Sequence, residues 1–311
     1  MYEPDPSPPV PLSQWERGVS FWLAGEGLWR IVCINLALLL LCSVSYAALS
    51  PAKLSLMQQK AAQITQPYGY KVGVYFIDLK TGQSFGINAE NKFPAASVAK
   101  VPVMATVFHL AELKELPLNK KIVFKEKDKV GGSGVLQWLK GNREYTVWNL
   151  TRLMIVLSDN TATRILCDTV GLERINEYMA ILGLTGTKLT DHTMLNEYPE
   201  LRINVTTPKD MARLVQMIKE ASHFSKDSSK QMLSFMRSQR YRWGIWRGVP
   251  KGVMVADKTG NLDGVLNDVG VVYSPAGNYV LSVFTHQISK KHTARKLINN
   301  ISKTIYEVYQ K

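Results

Sequence analysis

The sequence predicts an α+β fold of two lobes: an antiparallel β-sheet with flanking terminal helices, beside an all-helical lobe. Three observations carry that expectation. Strand-like runs lie toward both ends of the chain, helix-type apolar spacing fills the middle, and an amphipathic helical pattern closes the sequence. Two halves of one sheet around a helical insert leave a cleft between the lobes, which is where a site is expected.

Residues 2–14 carry five prolines and few apolar side chains after Tyr2, so residues 1–30 read as a disordered tail. From Ile31 to Ala48 eighteen residues run without a charge, just enough to cross a bilayer, between Arg30 and Lys53. Residues 31–48 are therefore expected to be an uncleaved membrane anchor, with residues 49–311 as a catalytic domain outside the cytoplasm. The alternative is a signal peptide cut after Ser45-Tyr46-Ala47, which would release the domain.

Within the domain, Ala52 to Ile64 reads as helix. Val72–Asp78 and Ser84–Asn88 read as a hairpin turned at Lys80-Thr81-Gly82, where glycine supplies a positive φ. Apolar spacing near 3.6 then marks Ala99–Leu113, Val147–Leu157, Asn160–Val170, Leu172–Leu182 and Pro208–Glu220. Strand patterns return at Val253–Asp257, Asp268–Tyr273 and Tyr279–His286, and Lys291–Tyr309 closes the chain as an amphipathic helix. No internal repeat of solenoid or propeller period occurs.

A chain of 311 residues with 46% hydrophobic content buries a full core. Its net charge is +13, and residues 49–311 alone carry 36 Lys and Arg against 21 Asp and Glu, a net +15. Such a surface attracts polyanions. Nucleic acid is not expected, because no Lys/Arg-rich helix or aromatic-interleaved basic stripe is evident; anionic cell-wall polymers or lipid head groups fit an exported domain better. Cys33 and Cys42 fall in the apolar run, which leaves Cys167 alone in the domain and excludes a disulfide within it. The five histidines form no zinc spacing and no G-x-S-x-G elbow is present, so neither metal nor cofactor is expected.

Chemistry enters through three short strings in a fixed order: Ser97-Val98-Ala99-Lys100, Ser158-Asp159-Asn160 and Lys258-Thr259-Gly260. Each is weak alone, since a chain of this length holds about one S-x-x-K by chance. Two decoys are present, Ser50-Pro51-Ala52-Lys53 and Lys80-Thr81-Gly82. The order of the triple, with 61 residues from Ser97 to Ser158 and 100 from there to Lys258, carries the inference.

Phe93-Pro94-Ala95-Ala96 leads into Ser97, which is expected in the first turn of a buried helix, although Pro102 would cost that helix a hydrogen bond. Lys100 then lies one turn on, within reach of the Ser97 hydroxyl. A serine hydroxyl is a poor nucleophile until a base takes its proton, and a desolvated lysine near a second cation, here Lys258, is neutral enough to do so. The plainer reading of the pair is a helix-capping Ser with a surface Lys. Ser158 would relay a proton, Asn160 would hold a substrate amide, and Asp159 would brace the loop; the plainer reading is an ordinary helix cap. Lys258 and Thr259 would bind a carboxylate at the end of a strand, Gly260 would admit substrate to its edge, and the Asn261 and Ser97 N–H groups would form an oxyanion hole. The plainer reading there is a strand-end turn.

These motifs resemble those of the class A β-lactamases and penicillin-binding proteins, over about residues 50–311. Gly131-Gly132-Ser133-Gly134-Val135-Leu136-Gln137, Thr206-Thr207-Pro208 and Ala256-Asp257 also look like family segments. The resemblance implies a β-lactamase/transpeptidase-like fold and a serine hydrolase acting through an acyl-Ser97 intermediate. By it Lys100 is the base, Ser158 the proton relay, Asn160 a substrate ligand, and Lys258 and Thr259 the carboxylate site. The substrate would be a β-lactam or a D-Ala-D-Ala peptide.

The chain departs from the pattern where the family carries the glutamate that activates the deacylating water. Aligning Leu195-Asn196 on the E-x-x-L-N pattern puts His192 in that place, with Asp191, Glu197 and Glu200 nearby as a candidate deacylation loop. The loop-clamping Arg and Asp fall on Thr190 and Asn204, and the strand arginine that helps hold the carboxylate falls on Asn267, with Arg242 and Arg247 as candidate substitutes. Three readings stay open: a β-lactamase, a membrane-anchored penicillin-binding D-Ala-D-Ala peptidase or transpeptidase, and a β-lactam sensor that acylates without turnover.

Overall fold

A computed structural model describes residues 49–193 and 203–311. The apolar run 31–48, expected to be an anchor, and residues 1–30, expected to be a tail, lie outside the described residues, among which no helix is long and apolar enough to cross a membrane.

The chain enters on helix α1 (Pro51–Thr65), capped by the Ser50 hydroxyl, which accepts from Lys53 N. Strands β1 (Val72–Asp78) and β2 (Ser84–Ile87) form the expected hairpin. In its turn Asp78 Oδ1 accepts from Lys80 N, Thr81 N and Thr81 Oγ1, and Gly82 takes φ +73°. Near the C-terminus come β7 (Met254–Leu262), β8 (Val265–Ser274), β9 (Gly277–Thr285) and the closing helix, which is numbered last below. Together they make one antiparallel sheet in the order β2-β1-β9-β8-β7, so β7 is an edge strand.

The central strands are apolar on both faces because both are covered. On β9, Tyr279, Leu281 and Val283 join one apolar cluster with Leu297, Ile301 and Ile305; Val280 and Phe284 join the other with Met211 and Val215. That period of two follows from the pleat.

The helical lobe is built from α2 (Lys100–Glu112), α3 (Val147–Val156), α4 (Asn160–Val170) and α5 (Leu172–Ile181). Residues 100–108 of α2 are buried all round, which makes α2 a core helix of that lobe. Helix α6 (Pro208–Glu220) presents Met211, Leu214, Val215 and Ile218 as one stripe and is capped by Thr207, whose hydroxyl accepts from Asp210 N. Then follow α7 (Lys226–Arg237), the short α8 (Ile245–Gly248) and α9 (Lys291–Gln310), which packs against α1.

Four features differ from the sequence expectation. Ser97 sits not in an α-helix but in a 3₁₀ turn, Ala96–Ala99, and α2 begins at Lys100. Pro102 thereby falls in the first turn, where backbone N–H groups have no intrahelical acceptor, so its missing donor costs nothing. Lys258-Thr259-Gly260 lies inside β7 rather than after a strand, its backbone laddered to Val269, Asp268 and Asn267 of β8. Two small pairings escaped the sequence pattern: β3 (Phe93–Pro94) with β6 (Val205–Thr206), and β4 (Lys121–Phe124) with β5 (Arg143–Thr146).

Candidate active site

The three motifs converge at Lys100. Its Nζ lies 3.0 Å from Ser97 Oγ, 3.0 Å from Ser158 Oγ, 2.8 Å from the Ser158 carbonyl and 2.7 Å from Asn160 Oδ1. Lys100 is fully buried, whereas Ser97 is half-buried and open to a substrate. Lys258 Nζ reaches the same Ser158 hydroxyl at 3.2 Å and the Thr259 carbonyl at 2.7 Å. Sharing that oxygen puts the two ammonium nitrogens no more than about 6 Å apart, where two like charges repel by about 3 kcal/mol at an effective dielectric of about 20.

Burial first, and the Lys258 charge second, hold the Lys100 pKa well below the usual lysine range. Burial likewise pushes Lys258 down to about 7, against the opposing pull of Asp257 and Asp268. Those two carboxyls are fully buried on β7 and β8; burial raises both, and the Asp268 charge raises Asp257 further. An amine with two N–H groups and a lone pair is what the Lys100 pocket favours, and the lone pair is the feature able to take the Ser97 proton.

Local backbone explains how these side chains meet. Ala96 at φ +48° and Ser158 at φ +51° occupy left-handed conformations that cost a non-glycine residue on the order of 1–2 kcal/mol. Asp159 caps α4 through Ala162 N at 2.9 Å and accepts from Val135 N and Leu136 N at 2.7 and 2.9 Å. A Cβ on Gly134, at φ +106°, would lie 2.3 Å from the Asp159 carboxyl, so only glycine brings this loop so close. Asn160 is fixed from the same loop, its N–H on Ser133 O at 3.0 Å and its Nδ2 on Gly131 O at 2.9 Å.

On the opposite wall, Thr259 N donates to Gln239 Oε1 at 2.9 Å, so the Thr259 backbone faces off the sheet edge. The antiparallel period of two turns the Asn261 N–H the same way, free of the ladder to β8. A Cβ on Gly260 would stand 3.1 Å from Ala95 O, Ala96 Cβ and Val98 Cγ2, which sets the strand edge directly against the Ser97 turn.

Other expected residues have different partners. His192 Nδ1 lies 2.5 Å from Asp168 Oδ1, two turns along α4 from Asn160, a rise of about 12 Å. Asp191 receives Thr193 N and Oγ1 at 2.9 and 2.8 Å, while Glu197 and Glu200 lie outside the described residues. In place of an ion pair, the neck of this loop is clasped by Asn204, whose Oδ1 accepts from Thr190 N and Asp191 N at 2.7 and 2.9 Å and whose Nδ2 donates to Asp191 O at 2.9 Å. Asn267 braces the Ser97 turn, donating to Pro94 O and Ala95 O at 2.8 and 3.2 Å. Arg242 bonds the Arg237 and Val255 carbonyls and stands 3.8 Å from Asp257, and Arg247 lies over the Trp246 ring.

One residue without a sequence signal belongs to this wall. Gln239, just beyond α7, is 1% exposed; its Oε1 also takes the Thr259 hydroxyl at 2.8 Å, and its Nε2 has no partner among the described residues. A buried donor left unpaired costs on the order of 1–3 kcal/mol.

A half-buried serine, a buried amine on its hydroxyl and a second cation across a shared serine define a serine acyl-transfer site between a sheet and a helical lobe. The profile of the β-lactamase enzyme family matches residues 56–309, and the chain belongs to that family. It is 28% identical over 264 residues to β-lactamase ROB-1 of Haemophilus influenzae, covering 81% of this chain and 84% of that one. With β-lactamase CTX-M-8 of Citrobacter amalonaticus it shares 24% over 261 residues, covering 81% and 89%. Among solved structures, a β-lactamase from Sphaerobacter thermophilus superposes with TM-score 0.77 at 34% identity, over 82% of this chain and 97% of the other. A variant of PBP-A, held as an acyl-enzyme with penicillin G, gives TM-score 0.77 at 27% identity over 83% and 97%.

Proposed function

We propose that this domain hydrolyses β-lactams through an acyl-Ser97 intermediate. The observation that carries the reading is the buried Lys100 amine, in hydrogen-bond reach of the Ser97, Ser158 and Asn160 side chains at once. Neutral Lys100 takes the Ser97 proton as Oγ bonds to the lactam carbonyl carbon, and the developing oxyanion sits between the Ser97 and Asn261 N–H groups. Ser158, between the two lysines, passes a proton to the departing nitrogen as the C–N bond breaks. Lys258 and Thr259 hold the substrate carboxylate, whose arrival restores the charge that burial weakens on Lys258. Asn160 holds the acyl-amide. A water then releases the acyl group, activated by an acid of the 191–200 loop.

One observation favours a second reading. Among the described residues no carboxylate hydrogen-bonds the Lys100 amine, and His192 is engaged by Asp168. A slow release step would make the domain a penicillin-binding D-Ala-D-Ala peptidase or transpeptidase, or a sensor. Residues 31–48 would tether it at the cell membrane with residues 49–311 outside, where its basic surface meets anionic cell-wall polymers.

Intact-protein mass of the 49–311 domain after penicillin addition, beside Ser97→Ala and with nitrocefin absorbance in parallel, tests this. A transient adduct with continuing nitrocefin loss is the expected result. A stable adduct establishes the second reading, and no adduct removes the Ser97 assignment.

A further inference from the structure

The strand arginine that would complete a carboxylate site is missing, and the residue at its place, Asn267, spends its amide on Pro94 O, Ala95 O and the Thr285 N–H. Arg242 and Arg247 are held by carbonyls, Asp257 and Trp246. These partners turn all three side chains to other work than holding a substrate carboxylate at Thr259.

We propose that the Gln239 carboxamide supplies the missing donor and is a specificity-determining residue for carboxylate-bearing substrates. This rests on the acyl-Ser97 reading above. The Thr259 N–H fixes which end of the amide is oxygen, because a backbone donor at 2.9 Å needs an acceptor. Nε2 is then the buried end with no partner, and amide geometry puts it within about 5 Å of Thr259 Oγ1. A carboxylate seated on Thr259 gives that orphan donor its acceptor. As it arrives, the Thr259 hydroxyl swings its proton from Gln239 Oε1 to the carboxylate, while Oε1 keeps the Thr259 N–H. Every group ends with a partner. The following residue, Arg240, ties the segment to the helical lobe through the Val156 carbonyl at 3.1 Å, which holds the amide in position before substrate binds.

The test compares acylation of Ser97 by benzylpenicillin and by its methyl ester, using intact mass against time, in wild-type protein, Gln239→Glu and Gln239→Ala. Gln239→Glu keeps the acceptor for Thr259 and replaces the donor; Gln239→Ala removes both, and either folded variant suffices. Penicillin acylation is expected to slow at least tenfold in each variant, with the ester changed less than threefold. Equal losses on acid and ester would reduce Gln239 to a structural brace, and an unchanged penicillin rate would overturn the proposal. Wild-type protein acylated by neither compound would overturn the Ser97 reading, and this inference with it.

Discussion

The chain carries each of two motifs twice, and the copies differ in everything but sequence. Ser50 and Lys53 sit at an exposed helix start, where the serine caps α1 and the lysine reaches the Tyr309 carbonyl at 3.4 Å. Ser97 and Lys100 have the same spacing, but their lysine is sealed among four oxygen atoms. Lys80-Thr81-Gly82 is an open hairpin turn, whereas Lys258-Thr259-Gly260 is a buried stretch of β7 facing Ser158 and Gln239. The difference lies in the surroundings, because burial and the neighbouring Lys258 charge hold the Lys100 pKa well below the usual lysine range.

Substitutions at matched positions sharpen this contrast. Ser97→Ala should abolish the penicillin adduct in intact-mass spectra, while Ser50→Ala leaves it unchanged. Lys100→Met should slow acylation by about a thousandfold, within the range expected for losing a general base, and Lys53→Met should not alter it; stopped-flow acylation rates decide. Equal losses at both lysines would end the comparison.

Lys258→Met should weaken penicillin capture by about 10- to 100-fold, the worth of a charged hydrogen bond, against no change for Lys80→Met. In the empty site the Lys258 ammonium deprotonates as pH rises through about 7, so wild-type KM for penicillin should climb above that pH. The penicillin methyl ester, and Lys258→Met with penicillin, should lack this rise. Gly260→Ala should cost about 1–3 kcal/mol through its 3.1 Å contacts with the Ser97 turn, read as a fall in Tm and in acylation rate together. Gly82→Ala meets no atom within 4 Å and should lose about 1 kcal/mol through its positive φ alone, with acylation intact. Ser50→Ala should likewise lose about 1 kcal/mol, from the lost cap, measured by denaturant unfolding.

Much of this was legible in the chain. Helices α3, α4 and α6 announce themselves through caps and apolar stripes, and the two decoys reveal themselves by their neighbours. The extent of β7 was not, because Thr259, Gly260 and Asn261 look like a turn until the β8 ladder claims them. The 3₁₀ turn at Ser97 left its trace only as the conflict posed by Pro102. Asn204 showed only as the place where a clamping Asp is replaced, and Gln239 left no trace, since a lone amide carries no motif and its role depends on a partner 13 to 20 residues away. His192 shows the opposite failure: an alignment gave it a place, and a carboxylate on α4 gave it another.

Cys167 has a practical consequence. It is fully buried, and burial raises its thiol pKa above the ordinary range, so it stays protonated and shielded from reagents. Since residues 49–311 contain no other cysteine, a thiol introduced at the exposed Trp138 position would be the single point of attachment for a dye. Trp138 closes the segment whose Gly131 and Ser133 carbonyls hold Asn160, so fluorescence from that label would time the loop's response to acylation with no cysteine to remove first.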